Sequence, residues 1–433
     1  MSRPPPAERS ARRLILAAGL AALLPLLWQW SAFRELYWFG DEWDLLAQID
    51  RTGFGPWLWS VFAENFVPLF KLLWGGAVFV FGGHYLALLV LLWLTHAANT
   101  VLFGRLLHRS GFPLPATLAC QLTFGLSVLH IETLGWTVQW SAVLATTFLL
   151  LGLLGLPTPG TATPDRRRVA LLVLASAASA LSLSRGVLTG AVLALAQLWP
   201  APHWRLDLRR TALLRAALCL APAVGAAALI AVFATGNHRA LSGHLTDIAT
   251  YAAWYFGLNP LHRLTDFDSI GPLTTALLLT AKLALLAGGL RLATPSQRHL
   301  LLLLLAFDLG NSALLGIGRY HTGLETTISS RYQYGSLLAT LPFLGLVLAA
   351  AFARLPRAFH LRPAAAVLAT AGAVAFFFHG WNHDAPGFAA ARGTATRHLL
   401  HVNPDPPEMG AVPGISFLST QDAKHLERRF GLE

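Results

Sequence analysis

The chain has 433 residues, 55% of them hydrophobic and only 12% charged, about half the charged fraction of an ordinary soluble domain, which excludes one large soluble globule. A net charge of +11 would suit a nucleic-acid binder, but the basic residues sit at the ends of apolar segments. Membrane topology explains them, and nucleic acid is not an expected partner.

All but three of the 32 Lys and Arg residues are Arg, which fits a GC-rich bacterial genome. Cys120 and Cys219 both fall inside apolar runs and read as small core residues, not as a disulfide or metal site.

Leu/Ala/Val/Gly runs of about 16 to 24 residues recur along the chain, the length a helix needs to cross about 30 Å of hydrocarbon. The pattern predicts an all-α, polytopic transmembrane bundle of about eleven spans. The first, 14–30, lacks a following A-x-A-like cleavage site and has many successors, so it is not a signal peptide. The N-terminal stretch 1–13 carries Arg3, Arg9, Arg12 and Arg13 and is expected in the cytoplasm. Residues 31–84 follow as an extracytoplasmic, partly interfacial loop. Further spans are expected at 85–107, 114–130, 140–156, 169–184, 187–200, 211–235, 271–290, 299–318, 335–353 and 363–379. The tail 380–433 is polar and Pro-rich, and reads as a small extracytoplasmic appendage to the membrane domain 14–379.

Residues 67–82 decide the parity. Were this short apolar run to cross, Arg166, Arg167, Arg168, Arg205, Arg209, Arg210, Arg291, Arg298, Arg354, Arg357 and Arg362 would all face outward. Read as interfacial or re-entrant, it leaves them all inside. Asp41, Glu42, Asp44, Asp50, Glu64, Glu132, Asp247, Asp266, Asp268 and Glu325 then fall outside, against Glu8, Asp165 and Asp207 inside. The positive-inside rule says little about acids, so an outer site built from carboxylates is the separate cause this asymmetry calls for.

Four outer pieces can carry chemistry. In Tyr37–Asp44 and the short helix expected over 41–50, Asp41, Asp44 and Gln48 share one face, while Trp43, Leu46 and Ile49 share the other. The apolar face is expected on the membrane surface, with Trp38, Trp43, Trp57 and Trp59 as interfacial anchors. Neighbouring carboxylates can act as a general base or hold a divalent cation. The same acids also suit an ordinary helix N-terminus. The second piece holds His130 and Glu132, close before Trp136. The third is Ser182–Gly186, where Arg185 places a positive charge on the outer side: a snorkelling residue, or a fork for phosphate oxygens. The fourth runs from Arg319 and His321 to Arg331 and Tyr332. Asp308, inside a span, is expected to face the bundle and to pair there.

In this order the four pieces resemble the GT-C superfamily of glycosyltransferases, which includes the protein O-mannosyltransferases and the TPR-containing transmembrane O-mannosyltransferases. Gly40-Asp41-Glu42 is similar to their acidic motif after the first span, and Asn65-Phe66-Val67-Pro68-Leu69 to the Pro-containing stretch that follows. His130 to Trp136 looks like their His-Pro-x-x-x-Glu-x-x-x-Trp region, with shorter spacing and no Pro. Ala180 to Gly186 stands where they often have Leu-Ser-Lys-Glu, with Gly186 in place of the acid. Ser330-Arg331-Tyr332 resembles their late Arg-Tyr.

The resemblance implies a GT-C-like bundle that transfers a sugar, with inversion, from a polyprenyl-phosphate donor to an extracytoplasmic glycan, lipid or protein acceptor. The membrane would be the bacterial inner membrane, with the site facing the periplasm. Asp41 would be the general base, with Glu42 assisting and Asp44 competing for the role. Arg185, Arg319, His321, Arg331, Tyr332, Glu132 and His130 would bind substrate. No dedicated metal site is expected, and a divalent cation (Mg or Mn) is the one cofactor in view. Two rivals remain. A lipid or polysaccharide transporter or flippase would line both membrane sides with polar residues. A non-catalytic membrane protein with a GT-C-like body would not need Asp41.

Overall fold

A computed structural model of the protein describes residues 6–62, 65–157, 165–199, 209–233, 243–265, 271–354, 362–402 and 418–432. Arg3, Glu64, Arg205, Asp207, Asp266, Asp268 and Arg357 lie outside the described residues. The main helices, numbered in chain order, are α1 (Pro6–Leu20), α2 (Asp41–Thr52), α3 (Pro68–Val80), α4 (Tyr85–Arg109), α5 (Leu114–Leu126), α6 (Trp140–Gly155), α7 (Arg166–Ala180) and α8 (Val187–Leu198). They continue as α9 (Arg210–Phe233), α10 (Leu245–Leu258), α11 (Pro272–Leu292), α12 (Pro295–Arg319), α13 (Gln333–Arg354), α14 (Arg362–Ala389) and α15 (Thr420–Phe430).

No strand occurs among the described residues. Among the described residues, seven helices are long and apolar enough to cross a membrane, eight when the bent pair Leu114–Leu126 and Val128–Leu134 is taken as one broken span. The protein is an all-α integral membrane bundle. The expectation of about eleven spans differs at 169–184 and 187–200. The runs 169–184 and 187–200 become α7 and α8, of 15 and 12 residues. At 1.5 Å per residue they reach only about 23 and 18 Å, short of the hydrocarbon thickness. Together they form a hairpin whose tip carries Arg185. The run 363–379 lies within the 28-residue α14, which is long enough to cross. Residues 67–82 become α3, whose 13 residues are too few to cross alone.

The ends of the helices sort into two sets. At one, the Tyr85 hydroxyl donates to the Gly135 carbonyl at 3.1 Å, and the Leu69 N–H at the start of α3 donates to the Leu181 carbonyl at 3.0 Å. At the other, Arg109 donates to the Leu154 and Leu156 carbonyls, Gln297 Nε2 donates to the Gly111 carbonyl at 2.7 Å, and His299 meets the Trp199 carbonyl at 2.9 Å. Arg109, Arg166–Arg168, Arg291 and Arg298 belong to this second end. The first end holds Asp41 and Glu132. In the interior between them, Lys282 and Asp308 form an ion pair at 2.7 Å with both side chains almost wholly buried. This is the pairing that makes a carboxylate tolerable inside a span.

The first outer loop folds onto the bundle. Gly40 has φ +57° and ψ −125°, a region open mainly to glycine. It turns the chain so that α2 begins at Asp41. Trp38, Trp43 and Trp57 do not anchor the loop in the membrane interface, contrary to expectation. All three are buried in the core and only Trp59 is exposed, at 66%. Enough aromatic surface is packed against them, by Trp74 and Tyr85 among others, that burial within the protein wins over the lipid boundary. Lys71 closes the loop by donating from Nζ to the carbonyls of Trp57 and Ser60, both at 2.9 Å.

The described part of the tail returns over this loop. α15 meets α2 through Asp50, 3.2 Å from His425 and 3.5 Å from Arg429, and Tyr37 donates to Glu427. Gly83 lets α15 close, because a Cβ there would stand 2.4 Å from the Phe430 carbonyl oxygen.

α12 has 25 residues, about 37 Å of helix, so its two ends should lie on opposite sides of the membrane. Cysteines replacing Thr294 and His321, labelled with a membrane-impermeant maleimide on intact cells, should therefore react at one position and not at the other. Equal labelling of both would contradict the fold.

Candidate functional site

At the acidic end, α6, the α7–α8 tip, α12 and α13 line a small, partly open cleft. Its walls are mostly small or hydroxylated: Ala142, Ala145, Ser179, Thr189 and Gly335 line it beside Arg185 and Arg331. Gly186 allows the tip to close, because a Cβ there would stand 1.9 Å from the Ser179 carbonyl oxygen. No acid or other side chain could replace it without moving α7 from α8. Asn65 Oδ1 accepts the Ser184 N–H at 3.2 Å, so the Asn65–Leu69 stretch holds the same tip.

Arg185 and Arg331 meet at one residue. Their guanidinium carbons lie 5.6 and 5.1 Å from the centre of the Tyr332 ring, within cation–π range. Asn311 Oδ1 accepts from Arg185 Nη1 at 3.1 Å, and Asn311 Nδ2 donates to the Tyr255 hydroxyl at 2.9 Å. That hydroxyl donates to the Tyr332 carbonyl at 2.7 Å. The tyrosine pair and Asn311 therefore fix the fork of Arg185. Arg319 and Arg331 both lie within electrostatic reach of Arg185. Among the described residues neither Arg185 nor Arg319 makes an ion pair.

Asp41 faces this cluster from the first loop. Burial raises its pKa from the ordinary value, opposed by Arg331 and Arg319. A carboxylate so placed is a stronger base than a solvated one, yet stays in the field of two arginines. Asp44 stands one turn along on the same half-exposed face of α2, with Gln48 beyond it, while Glu42, Trp43, Leu45, Leu46, Ala47 and Ile49 are buried.

Glu42 does not reach the cleft. It is wholly buried, accepting the Phe39 N–H at 2.8 Å and the Thr137 N–H at 2.9 Å, with the Thr137 hydroxyl as a third partner. It joins the start of α2 to the turn before α6, which makes it a structural pin and not an assistant base.

Glu132 is a hub. Its carboxylate accepts from Ser329 Oγ at 3.0 Å, the Arg331 N–H at 3.1 Å and Arg392 Nη2 at 2.9 Å. It therefore holds the turn that carries Arg331. His130 is not a ligand in the cleft. It is buried in an aromatic cluster, 5.1 Å from Phe124 and 4.7 Å from Tyr334 between ring centres, because the turn 128–130 points it into the bundle. His321 is exposed on the outer turn, edge-on to Tyr320 at 5.5 Å, and does not line the cleft. Arg392, Asn311 and Tyr255 were not singled out in the sequence. Asn311 and Tyr255 look like ordinary polar residues of amphipathic helices. Arg392 sits in a polar tail, where charge carries no signal.

Among the described residues no group of three or more His, Cys, Asp or Glu converges as a metal site. The arginines supply the positive charge of the cleft. The fold is similar to that of the oligosaccharyltransferase of Archaeoglobus fulgidus, crystallised with zinc and sulfate, with a TM-score of 0.46 and 14% identity, covering 91% of this chain and 56% of that one. The present chain thus spans little more than half of that protein's length. No protein-family model matches the sequence, and no curated protein does.

Burial pushes the Glu42 carboxyl from its ordinary 4.5 up to about 8, against the donors on Thr137 and Phe39. A carboxyl with a higher pKa folded than unfolded contributes stability that is complete below the unfolded value and is lost as pH rises through the folded one. The thermal midpoint in detergent should therefore fall between about pH 5 and 9 in the wild type. Glu42→Gln should flatten that dependence and cost about 1–3 kcal/mol, because an amide cannot accept from all its present donors. A midpoint unchanged by the substitution would show that Glu42 is not a pin.

Proposed function

We propose that the protein is a GT-C-type membrane glycosyltransferase that moves a sugar from a polyprenyl-phosphate donor to an extracytoplasmic acceptor. The observation that carries this reading is the convergence of Arg185 and Arg331 on a cleft at the acidic end, with Arg319 within electrostatic reach and Arg185 lacking an ion-pair partner among the described residues. Like charges gathered in this way call for an anion between them. Guanidinium forks fit the oxygens of a phosphate. The arginine-rich opposite end marks the cytoplasmic side by the positive-inside rule, so the cleft opens outside. In a bacterium that is the periplasmic face of the inner membrane. A lipid phosphate in that membrane would arrive at this depth with its chain among the helices.

In the mechanism, Arg185 and Arg331 hold the donor's phosphodiester at the cleft. Asp41 takes the proton from the acceptor hydroxyl as its oxygen attacks the anomeric carbon from the face opposite the phosphate. The new C–O bond forms while the bond from the anomeric carbon to the phosphate oxygen breaks, which inverts the centre. The electron pair leaves on the polyprenyl phosphate, whose added negative charge the arginines stabilise. Glu132 holds the Arg331 turn in place. No step is routed through a cation, although Asp41 and Asp44 share the helix face on which one would be met.

Asp41→Asn should keep the protein inserted and folded but reduce transfer by about 10²- to 10⁴-fold, the usual worth of a general base. Arg185→Gln should weaken donor binding by roughly ten- to a hundred-fold, the loss of one charge-assisted contact. Both are measured with purified protein and a panel of polyprenyl-phosphate sugars at equal expression. Loss in Asp44→Asn with normal turnover in Asp41→Asn would transfer the role to Asp44. Normal turnover in both would end the carboxylate mechanism.

A further inference from the structure

The C-terminal segment enters the site at a point where its geometry is unusually constrained. Residues Ala390–Thr394 form a π-helical turn following α14, a local widening often found at functional positions. Immediately after Arg392, Gly393 packs against the first loop so closely that a Cβ would stand 1.7 Å from the Glu35 carbonyl oxygen and 2.9 Å from the Leu36 Cα. Only glycine permits that approach. The Arg392 guanidinium carbon lies 4.7 Å from the Phe39 ring centre, 5.3 Å from Trp136 and 4.4 Å from Phe388. Three rings from three parts of the chain thus take the place of solvent around the cation.

From that cage Arg392 Nη2 donates to Glu132 Oε1 at 2.9 Å. The second oxygen of the same carboxylate accepts from Ser329 Oγ at 3.0 Å and from the Arg331 N–H at 3.1 Å, and the Glu132 N–H donates to Ser330 Oγ at 3.0 Å. Farther along, Arg397 covers the Tyr37 ring at 4.9 Å. Tyr37 donates to Glu427, and Asp50 meets His425 and Arg429. The tail is therefore fastened to the chain just before α2 and to the last turn of α2 itself.

We propose that the C-terminal segment is a strap that completes the anion site, with Arg392 as its positioning residue: it holds Glu132, which sets the 329–331 turn and so aims Arg331 into the cleft. This rests on the phosphate-binding reading given above. Arg392 itself does not contact the bound anion. Its effect passes through Glu132, so a change that shifts its position without altering charge should act as deleting it does.

The experiment uses the full-length chain in nanodiscs and farnesyl phosphate as a short polyprenyl phosphate probe, with binding followed by calorimetry. Arg331→Gln serves as the site control. Arg392→Gln should weaken binding roughly tenfold, the scale of one charge-assisted contact, and Gly393→Ala should do the same with every charge retained. Arg392→Lys, which keeps a cation within the rings and a donor toward Glu132, should recover most of the affinity. Because Arg392 and Glu132 act in series, the double variant Arg392→Gln/Glu132→Gln should be no weaker than the weaker single.

Affinity within twofold of wild type in both Arg392→Gln and Gly393→Ala, with binding lost in Arg331→Gln, would overturn the strap and leave the anion site standing. Additive losses in the double variant would overturn the relay through Glu132. Undiminished binding in Arg331→Gln would remove the anion site, and the strap's role with it.

Discussion

Guanidinium groups packed together at the edge of an apolar bundle repel each other, and water there is too scarce to screen them. Arg185, Arg319 and Arg331 are brought into this position, and much of the surrounding structure answers it. The Tyr332 ring offers its face to two of them. Glu132 compensates Arg331 at 4.0 Å and Arg392 at 2.9 Å. Asp41 supplies a second negative charge from the first loop. Under the proposed function a further anion balances the arrangement, entering at the cleft beside Arg185 and Arg331.

The bundle beneath supports that constellation through buried polar contacts. Lys282 Nζ donates to the Asn259 carbonyl at 2.8 Å as well as to Asp308. Asn259 Nδ2 donates to the Thr327 carbonyl at 2.8 Å, and its carbonyl accepts from Ser336 Oγ at 3.1 Å. These contacts tie α10, α11 and α12 to the turn that ends in Arg331 and Tyr332. Such contacts in an apolar interior favour one arrangement, since breaking any of them would leave a further buried polar group without a partner. The short α7–α8 hairpin has a related purpose. Two full spans would bury their junction in the far headgroups, whereas two short helices set Arg185 at the level of Asn311.

Much of this was legible in the sequence. Apolar length and arginine placement separate the two ends, because the length of a span and the positive-inside bias act locally along the chain. Arg185 stood out for the same reason, as a cation at the wrong end. What local pattern could not supply was direction. Glu42 and Asp41 are neighbours with the same chemistry, and only the glycine turn at Gly40 decides which faces the arginines and which is buried. His130 turns inward because its backbone enters a short 3-10 turn, which no period in the sequence announces. The tryptophans of the first loop suit an interface as well as a core, and the choice between them depends on Trp74 and Tyr85, distant in sequence. The tail offered least. Arg392 gains its position from Glu35, Phe39, Trp136 and Glu132, all more than 250 residues earlier.

On the proposed function, the arginine cleft takes a polyprenyl phosphate. Photo-crosslinking tests it most directly, with a short polyprenyl phosphate that carries a benzophenone near its head group, irradiated with the full-length protein in nanodiscs and mapped by peptide mass spectrometry. Adducts confined to residues 183–189 and 330–335, and abolished by excess unlabelled polyprenyl phosphate, are the expected result. Adducts scattered over the lipid-facing helices, or ones that unlabelled polyprenyl phosphate does not displace, would contradict it.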